Sequence, residues 1–587
     1  MPNMLAISFE GAFAPSILLH CLGKGRKLPD GWGIGYYPGG EPSAAILKEP
    51  APPEASMRSE LVRDWEHLEA SVLMLHVRDA RWGSISDANT QPFVRSWAGR
   101  DWVFAHSGSL RHRLELSVRP IFEPVGSTDT EAIFCELMSW VADGRYRSIR
   151  DIEAPTLRNW FDFVNEHGSM TSVLSDGRDL VVYADREGDQ PVYVKRLAPP
   201  YQSVVLGDDD VDVDLTKRGA KARKGVVVST TPLRLNGKDD PTWERVPNGH
   251  LLVLREGDVI REAVPQPIHG GEPTEGAAPR VFVARKVQQA SDIAPIRTYD
   301  VLHRTVYRYE KPIEKSAHLF RLTPCHDRLQ RVVSHEIAVS VEGLSRDYDD
   351  VFGNRVRRLV LDRPWTEMVV EARSVVQALD VDPLGFRPLL THSTIPLIWM
   401  PWQRQVLQPF LLPPELPESE LRELVEYSMS FVKRNNNDLL DTLLDMNGTI
   451  FREYQYIQGV TTLTTTPFDV YCNRRGVCQD FANLFICLAR LLGVPARYVC
   501  GYIDTGPKNP NKVQSEASHA WVQVYLPEVG WKGFDPTNGM LTQTDHVRVA
   551  TGRNYVDATP TSGTIYVGGG KETLEVDVRV EPIEGTA

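Results

Sequence analysis

The sequence predicts a multidomain α+β protein, and three observations support this prediction. The chain has 587 residues, roughly four times the 150 residues of an average domain. A segment rich in Pro, Gly, Ala and Glu interrupts it at 262–279. Beyond that segment, a strand-like apolar pattern changes to a helix-like one near Glu418. We expect an N-terminal domain at 1–261, a linker at 262–296, a β-rich region at 297–407 and an α+β core at 408–587.

Composition and charge exclude several classes of protein. Hydrophobic residues make up 42% and charged residues 24%, which is ordinary globular usage. The net charge of −12 provides no basic surface, so we expect neither nucleic acid nor an anionic membrane as a partner. No basic leader and no long apolar run is visible, which predicts a cytoplasmic protein without a membrane span. Seven cysteines are too few for a disulfide scaffold, and their odd number leaves at least one thiol unpaired.

Several motifs of the N-terminal domain resemble those of class II glutamine amidotransferases. The resemblance implies an N-terminal-nucleophile fold, a four-layer αββα sandwich with two central sheets. The segments that carry it are DGWGIGYY at 30–37, HVRDA at 76–80, NTQPF at 89–93, WVFAHSGSL at 102–110, GSTDTEAIF at 126–134 and LSDGRDLVVYA at 174–184.

The same resemblance implies that this domain is degenerate. The family's nucleophile is a cysteine exposed by removal of Met1, and Pro2 stands at that position here. Ser107 replaces an Asn that helps to bind the oxyanion. Arg78, Gly108 and Asp129 match positions that hold the glutamine substrate. We expect no glutaminase activity from this domain, which either binds an amide or amino acid or serves as a scaffold.

The β-rich region has the alternation of a sheet with one buried face. In TYDVLHRTVYRYE every second residue from Tyr299 to Tyr309 lies on one side of a strand, and HEIAVSVEG and EMVVEARSVVQ continue the pattern. This predicts a β-sandwich, with His303 as a packed strand residue rather than a ligand.

The core begins with helices and then changes to strands. Prolines at 408–417 precede two helical patterns, one from Leu421 and one from Leu439. After Cys478, apolar residues recur on one face of a helix, which ends at Gly493. Cys478 therefore opens a buried helix, where free backbone N–H groups lower a cysteine pKa.

Three polar residues of the core suggest thiol chemistry. Cys478 lies in RRGVCQDFANLF, His519 in EASHAWVQVYLP and Asp535 in WKGFDPTN. The pattern after His519 predicts a half-buried strand, with His519 on the face away from the core. Asp535 ends the next strand after a turn, so its carboxylate can reach the imidazole. These residues supply a nucleophile, a base and an acid that orients the base.

Two other roles, structural and metal-binding, compete with that of a nucleophile for the cysteines of the core. Cysteine is most often a buried structural residue, and we assign that role to Cys487 and Cys500. Cys478 lies outside the apolar stripe at the start of its helix, which favours a nucleophile. A zinc site formed by Cys472, Cys478 and His519 lacks the paired spacing of zinc ligands, so we expect neither a metal nor a cofactor.

The core resembles the bacterial transglutaminase-like superfamily, which has a papain-like fold and a Cys-His-Asp triad. The resemblance extends from about Phe451 to Asn538, and YDVLHRTVYRYEKPIEKSAHLFRLTPC is similar to the β-rich region that precedes this core in bacterial members. It implies that Cys478 is the nucleophile, that His519 acts as general base and then acid, and that Asp535 orients His519. It also implies that the backbone N–H of Cys478 helps to form the oxyanion hole.

Three functions remain open from the sequence. The first is hydrolysis of a peptide, protein or small amide through a thioester on Cys478. The second is transfer of the same acyl group to an amine, as in transglutaminases. The third is a non-catalytic binding protein built from two degenerate enzyme folds. The sequence does not indicate the oligomeric state.

Overall fold

The computed structural model divides the chain into two compact units, residues 1–283 and 284–587. It describes residues 3–583 except 21–27, 41, 54–55, 65–67, 80–82, 112–120, 218–221, 266–295, 382, 384, 386–392, 463 and 505–517. Most of the predicted linker at 262–296 lies outside the described residues, as does Pro2. Among the described helices, none is long and apolar enough to cross a membrane.

The first unit is rich in strands. Its helices are α1 (Met57–Asp64), α2 (Asp129–Asp143) and α3 (Ala154–Asn165). Its strands are β1 (Met4–Phe13), β2 (Ser16–Leu19), β3 (Gly31–Tyr36), β4 (Ala45–Glu49), β5 (Ala70–Arg78), β6 (Phe93–Trp97), β7 (Arg100–Leu110), β8 (Gly168–Ser175), β9 (Leu180–Tyr183), β10 (Tyr193–Leu197), β11 (Val205–Gly207), β12 (Val211–Asp214), β13 (Gly225–Ser229), β14 (Arg234–Leu235), β15 (Glu244–Arg245), β16 (Leu251–Arg255) and β17 (Asp258–Ala263).

Two central sheets of this unit pack face to face. One has the strand order β15-β10-β13-β1-β5-β3-β4 and the other β17-β16-β9-β8-β7-β6. Small apolar side chains such as Ala6, Val226 and Val173 fill the space between them. Helices α2 and α3 cover the second sheet. The outer face of the first sheet packs against α1 and a four-stranded sheet of order β14-β11-β12-β2, so this layer is mostly β.

The second unit begins with long strands and continues into helices. Its helices are α4 (Pro401–Leu407), α5 (Glu418–Arg434), α6 (Leu439–Glu453), α7 (Pro467–Asn473), α8 (Cys478–Leu491) and α9 (Tyr555–Ala558). Its strands are β18 (Arg297–Phe320), β19 (Gln330–Val339), β20 (Leu344–Asp349), β21 (Arg355–Leu361), β22 (Trp365–Ala378), β23 (Gln455–Tyr456), β24 (Arg475–Gly476), β25 (Ala496–Ile503), β26 (His519–Leu526), β27 (Gly530–Asp535), β28 (Met540–Leu541), β29 (His546–Gly552), β30 (Thr561–Gly568) and β31 (Glu572–Pro582).

The β-rich region is organised around β18, a strand of 24 residues. The first half of β18 pairs with β22 and β31, and its second half pairs with β21 and β30. Side chains of β18, β21 and β22 enclose an apolar core that includes Phe320, Leu361 and Met368. His303 is a packed strand residue, as expected, and contacts the Tyr502 hydroxyl at 3.0 Å.

Not all strands of the predicted core at 408–587 belong to a sheet of that core. Its last two strands, β30 and β31, return to β18 and complete the sheet of the preceding region. The rest of the core packs helices against a five-stranded sheet of order β28-β27-β26-β25-β29. Helix α8 contacts α5, α6, α7 and the strands β25 and β26, so it is buried on nearly every side.

Candidate active site

Cys478 is the first residue of α8, as the sequence predicted. The first intrahelical bonds run from the amides of Asp480 and Phe481 to the carbonyl of Val477. The amide of Cys478 precedes these bonds, at the positive end of the helix dipole. The thiol side chain is partly exposed, so a substrate can reach it.

A carboxylate fixes the point at which α8 begins. Oδ2 of Asp480 accepts a hydrogen bond from the amide of Val477 at 2.8 Å and another from the hydroxyl of Thr461 at 2.7 Å. A Cβ on Gly476 would lie 2.8 Å from the Cβ of Asp480, so only glycine allows this approach. These contacts hold the turn that carries Cys478.

Arg474 anchors the chain just before this turn, a feature that the motif analysis did not identify. It has a left-handed backbone conformation with φ of 52°, and its side chain is buried. The guanidinium donates to the hydroxyls of Tyr427 and Tyr454 at 2.9 and 2.7 Å. It also lies over the ring of Tyr471 at 5.0 Å from the centroid, a cation–π contact. The tyrosines thereby fix the entry to the Cys478 turn.

His519 begins β26, and its side chain is only 1% exposed. The expectation that it faces away from the core is wrong, because both faces of β26 are buried. Its Nε2 donates to Oδ2 of Asp535 at 2.8 Å, and Trp521 stacks on the ring. Nδ1 has no hydrogen-bond partner among the described residues. The thiol of Cys478 is close enough to raise the pKa of His519, although no bond of normal geometry joins them.

Asp535 ends β27, which pairs with β26 across the predicted turn at 527–530. Its carboxylate is fully buried. The amides of Thr537 and Asn538 donate to Oδ1, and the Asn538 side chain donates to Oδ2 at 2.7 Å. A carboxylate with this many donors is held in its ionised form and in one orientation.

A second histidine, which the motif analysis did not identify, contacts the same carboxylate. Nε2 of His546 lies 3.2 Å from Oδ2 of Asp535, and Nδ1 lies 2.6 Å from Oδ1 of Asp545. His546 starts β29, which pairs with β25, so the sheet order brings it to the site. The only signal in the sequence is the Asp-His pair in QTDHVRV, which does not indicate this contact by itself.

The electrostatics follow from burial and from these contacts. Burial alone would lower the pKa of His519, but the charge and hydrogen bond of Asp535, with a contribution from Cys478, raise it to about 10. Burial would lower the pKa of His546, but Asp545 and Asp535 raise it to about 9. Although burial opposes ionisation of Asp535, the two histidines hold its pKa well below the usual range.

The remaining thiols have a different environment. Burial raises the pKa of Cys472, Cys487 and Cys500 to about 12 and also raises those of Cys135 and Cys325. All of these thiols are unpaired, whereas Cys21 lies outside the described residues. Cys478 thus differs from the other described cysteines in its place at a helix start beside an imidazole.

The same cluster contains side chains of the types that bind metal ions. Donor atoms of His519, Asp535 and His546 lie within 4.8 Å of one another, close enough to share an ion. The ring nitrogens that face Asp535 already donate to its carboxylate, and these hydrogen bonds account for the short distances. Of Cys472, Cys478 and His519, the residues of the alternative zinc site, only His519 belongs to this group.

Arg78, Gly108 and Asp129 lie together in a pocket of the first unit. Its volume is about 80 Å³, and polar residues line most of it. Asp129 begins α2, and its Oδ2 accepts the Leu110 amide at 3.0 Å. Gly108 has φ of 145°, and a Cβ there would lie 2.1 Å from the carbonyl oxygen of Ser169.

Two further features give the pocket its chemical character. Burial lowers the pKa of His76 to about 3 and also lowers the pKa of His106, so both rings are neutral. Ser107 donates to Oε1 of Gln190 at 3.2 Å. The pocket therefore offers the guanidinium of Arg78, the carboxylates of Asp79 and Asp129, and neutral hydrogen-bonding groups.

Models of known families match three successive segments of the chain. The model of class II glutamine amidotransferases matches residues 1–276. That of the bacterial transglutaminase-like N-terminal region matches 299–377, and that of the transglutaminase-like superfamily matches 427–536.

Individual relatives cover one part of the chain each. An uncharacterized protein of Mycobacterium tuberculosis H37Rv is 32% identical over 308 residues, which are 49% of this chain and 94% of the relative. A predicted glutamine amidotransferase from Pseudomonas aeruginosa has 23% identity and a TM-score of 0.36, covering 44% of this chain and 99% of its own. The periplasmic domain of TgpA from Pseudomonas aeruginosa has 15% identity and a TM-score of 0.23, covering 40% and 87%. The chain thus combines, in this order, a class II glutamine amidotransferase domain, a bacterial transglutaminase-like N-terminal region and a core of the transglutaminase-like superfamily.

Proposed function

We propose that the second unit is a thiol hydrolase that cleaves an amide or peptide bond through a thioester on Cys478. One observation supports this proposal above the others. The partly exposed thiol opens α8 beside His519, whose Nε2 is bound to the buried carboxylate of Asp535 at 2.8 Å. Because Nε2 is held by Asp535, the nitrogen left for proton transfer is Nδ1, which has no other partner among the described residues.

The chemistry follows from these positions. Nδ1 of His519 takes the thiol proton, and the sulfur attacks the amide carbonyl carbon. The backbone N–H of Cys478 donates to the oxyanion that forms. Nδ1 then gives its proton to the leaving amine, and the C–N bond breaks to leave the thioester. Water attacks the thioester with His519 as base, which releases the acid and restores the thiol.

A reaction with a peptide library tests this proposal and separates hydrolysis from amine transfer. The full chain is incubated with the library and a labelled primary amine, and products are identified by mass spectrometry. We expect cleaved peptides with new carboxyl ends from the wild type and from Cys472→Ala, a matched thiol variant. Cys478→Ala should give none.

The other outcomes contradict hydrolysis in distinct ways. If amine adducts replace cleaved peptides, the thioester is resolved by acyl transfer. If neither product depends on Cys478, the protein is not an enzyme of this type, and the binding-protein hypothesis takes its place.

A second candidate function concerns the pocket of the first unit. We propose that it binds a small α-amino acid or its amide, because Arg78 can pair with the ligand carboxylate and Asp129 with its ammonium group. Calorimetric titration of the full chain with L-glutamine tests this. We expect binding that Arg78→Gln or Asp129→Asn removes, while Arg111→Gln, at an exposed ion pair, retains it. Absence of binding by the wild type would leave the scaffold role.

A further inference from the structure

The thiol chemistry needs one imidazole hydrogen-bonded to Asp535, yet two imidazoles contact this carboxylate. His546 is 1% exposed, and its Nε2 lies 3.2 Å from the same Oδ2 that His519 contacts. Its other nitrogen lies 2.6 Å from Oδ1 of Asp545. Burying an imidazole between two carboxylates costs free energy unless the ring forms a hydrogen bond with each carboxylate.

The two carboxylates that contact His546 determine the protonation state of its ring. Ionised carboxylates only accept hydrogen bonds, so both nitrogens of His546 must carry protons to satisfy Asp535 and Asp545. The ring is then an imidazolium. Its pKa, raised to about 9 by Asp545 and Asp535 against the effect of burial, agrees with this assignment.

Several other groups surround His546. The His519 ring lies 6.3 Å away between centroids, and Trp521 contacts His546 edge to face at 5.1 Å. Arg297, at the start of β18, lies 3.7 Å from Asp504 and also interacts electrostatically with Asp545.

We propose that His546, held by Asp545, is a positioning residue of the thiol site that fixes the Asp535 carboxylate on the ring of His519. This inference rests on the proposed function of Cys478. His546 donates to Oδ2 and restricts rotation of the carboxylate. Its positive charge also adds to the positive potential near the thiol, so the thiolate of Cys478 forms more readily beside it.

Two substitutions separate the hydrogen bond from the charge. His546→Gln can keep a donor near Oδ2 but removes the positive charge. His546→Phe keeps a planar ring but removes both donor and charge. His303→Asn serves as the matched control, because His303 is a buried histidine of the same unit that contacts Tyr502 outside the site.

The experiment measures the rate of iodoacetamide alkylation at Cys478 from pH 5 to 10 in the full-length proteins, by mass spectrometry. We expect the midpoint of the rate profile to move to higher pH in His546→Gln, because a nearby positive charge is lost. In His546→Phe we expect the rate at pH 6 to fall roughly 10-fold or more, the size of losing a hydrogen bond to a charged group. His303→Asn should follow the wild type.

A merely structural role would change the melting temperature without moving the profile. Coincident profiles for the wild type and both His546 variants, all folded by circular dichroism, would overturn the proposal. If the variants do not fold, NMR of ¹⁵N-histidine-labelled wild type decides instead. We expect both nitrogens of His546 to be protonated at pH 7, and an unprotonated nitrogen overturns the proposal.

Failure of the proposed function has a different signature. In that case Cys478 of the wild type reacts no faster than the other thiols, whatever the protonation of His546. If Cys478 is the fast thiol and the His546 variants leave its profile unchanged, only the positioning role is lost.

Discussion

Asp535 is the residue on which the geometry of the site depends most. Its two oxygens accept hydrogen bonds from His519, His546, Asn538 and the amide of Thr537. This set of donors can be satisfied only by an ionised carboxylate. The orientation and tautomer of His519 therefore depend on the charge of Asp535 as well as on its shape.

Asp535→Asn tests this dependence because it keeps the shape and removes the charge. An amide presents a donor as well as an acceptor, so His519 can turn its basic nitrogen away from the thiol. We expect kcat to fall by about 10⁴-fold, as when the carboxylate of a catalytic triad is replaced. Asp347→Asn, at an exposed ion pair with Arg357, should retain activity. Activity of Asp535→Asn within tenfold of the wild type would contradict the assigned role.

The two histidines also predict a dependence of stability on pH. The folded pKa of His546 is about 9 and that of His519 about 10, against about 6.5 for unfolded histidine. A histidine whose pKa is raised on folding contributes to the free energy of unfolding. This contribution is complete below pH 6.5 and is lost as the pH rises through the pKa of the folded state. For His546 the loss is on the order of 3 kcal/mol.

Urea unfolding of the wild type and His546→Gln at pH 6.5 and pH 9 measures this contribution. We expect the free energy of unfolding to fall more steeply with pH in the wild type than in the variant. Equal slopes would show that the pKa of His546 is not raised in the folded protein.

At the scale of elements, the site depends on close contacts within the five-stranded sheet. Gly501 of β25 lies between Trp521, which stacks on His519, and the backbone of β29. A Cβ there would lie 2.1 Å from the carbonyl oxygen of Val547 and 2.6 Å from the Trp521 ring. The backbone oxygen cannot move aside without displacing β29.

We expect Gly501→Ala to destabilise the second unit by about 3 kcal/mol, at the upper end of overpacking effects, and to slow alkylation of Cys478. Gly448→Ala in α6 is the control, because its Cβ meets only the flexible end of Arg452. It should stabilise the fold by about 0.5–1 kcal/mol. Thermal unfolding of both variants checks this, and a Gly501→Ala protein as stable as the wild type contradicts the packing argument.

Local patterns in the sequence predicted the elements that carry the triad. The start of α8 at Cys478 and the turn between β26 and β27 follow from periodicity and turn residues over short distances. Contacts that depend on sheet order were not predictable in this way. The proximity of His546 to Asp535 and the return of β30 and β31 to β18 require pairing between segments far apart in the chain.

Burial was also harder to predict than local structure. The alternation in HAWVQVYL indicated a strand with one buried face. Both faces of β26 are buried in the structure, and helix α8 contacts this strand. The acidic run in GDDDVDVD at 207–214 is typical of a solvated surface segment. Its Val211 and Val213 instead belong to a strand in the apolar core of the first unit.

At the scale of the whole molecule, the chain joins a glutamine amidotransferase domain and a transglutaminase-like core, which have different sites. The first unit keeps Arg78 and Asp129 in a polar pocket, with Ser107 tied to Gln190. The second holds Cys478, His519 and Asp535 in one cluster. The described cysteines are all unpaired. Burial raises the pKa values of five of them, whereas Cys478 opens a helix beside an imidazole.

The relative reactivity of the cysteines tests the central claim most directly. The native protein is treated with limiting iodoacetamide at pH 7, and alkylation of each of the seven cysteines is followed by mass spectrometry. We predict that Cys478 reacts much faster than Cys325 and Cys472, which are also partly exposed among the described cysteines, and that Asp535→Asn removes this advantage. Reaction of Cys478 at the same rate as Cys325 and Cys472 would contradict the assignment of Cys478 as an activated nucleophile.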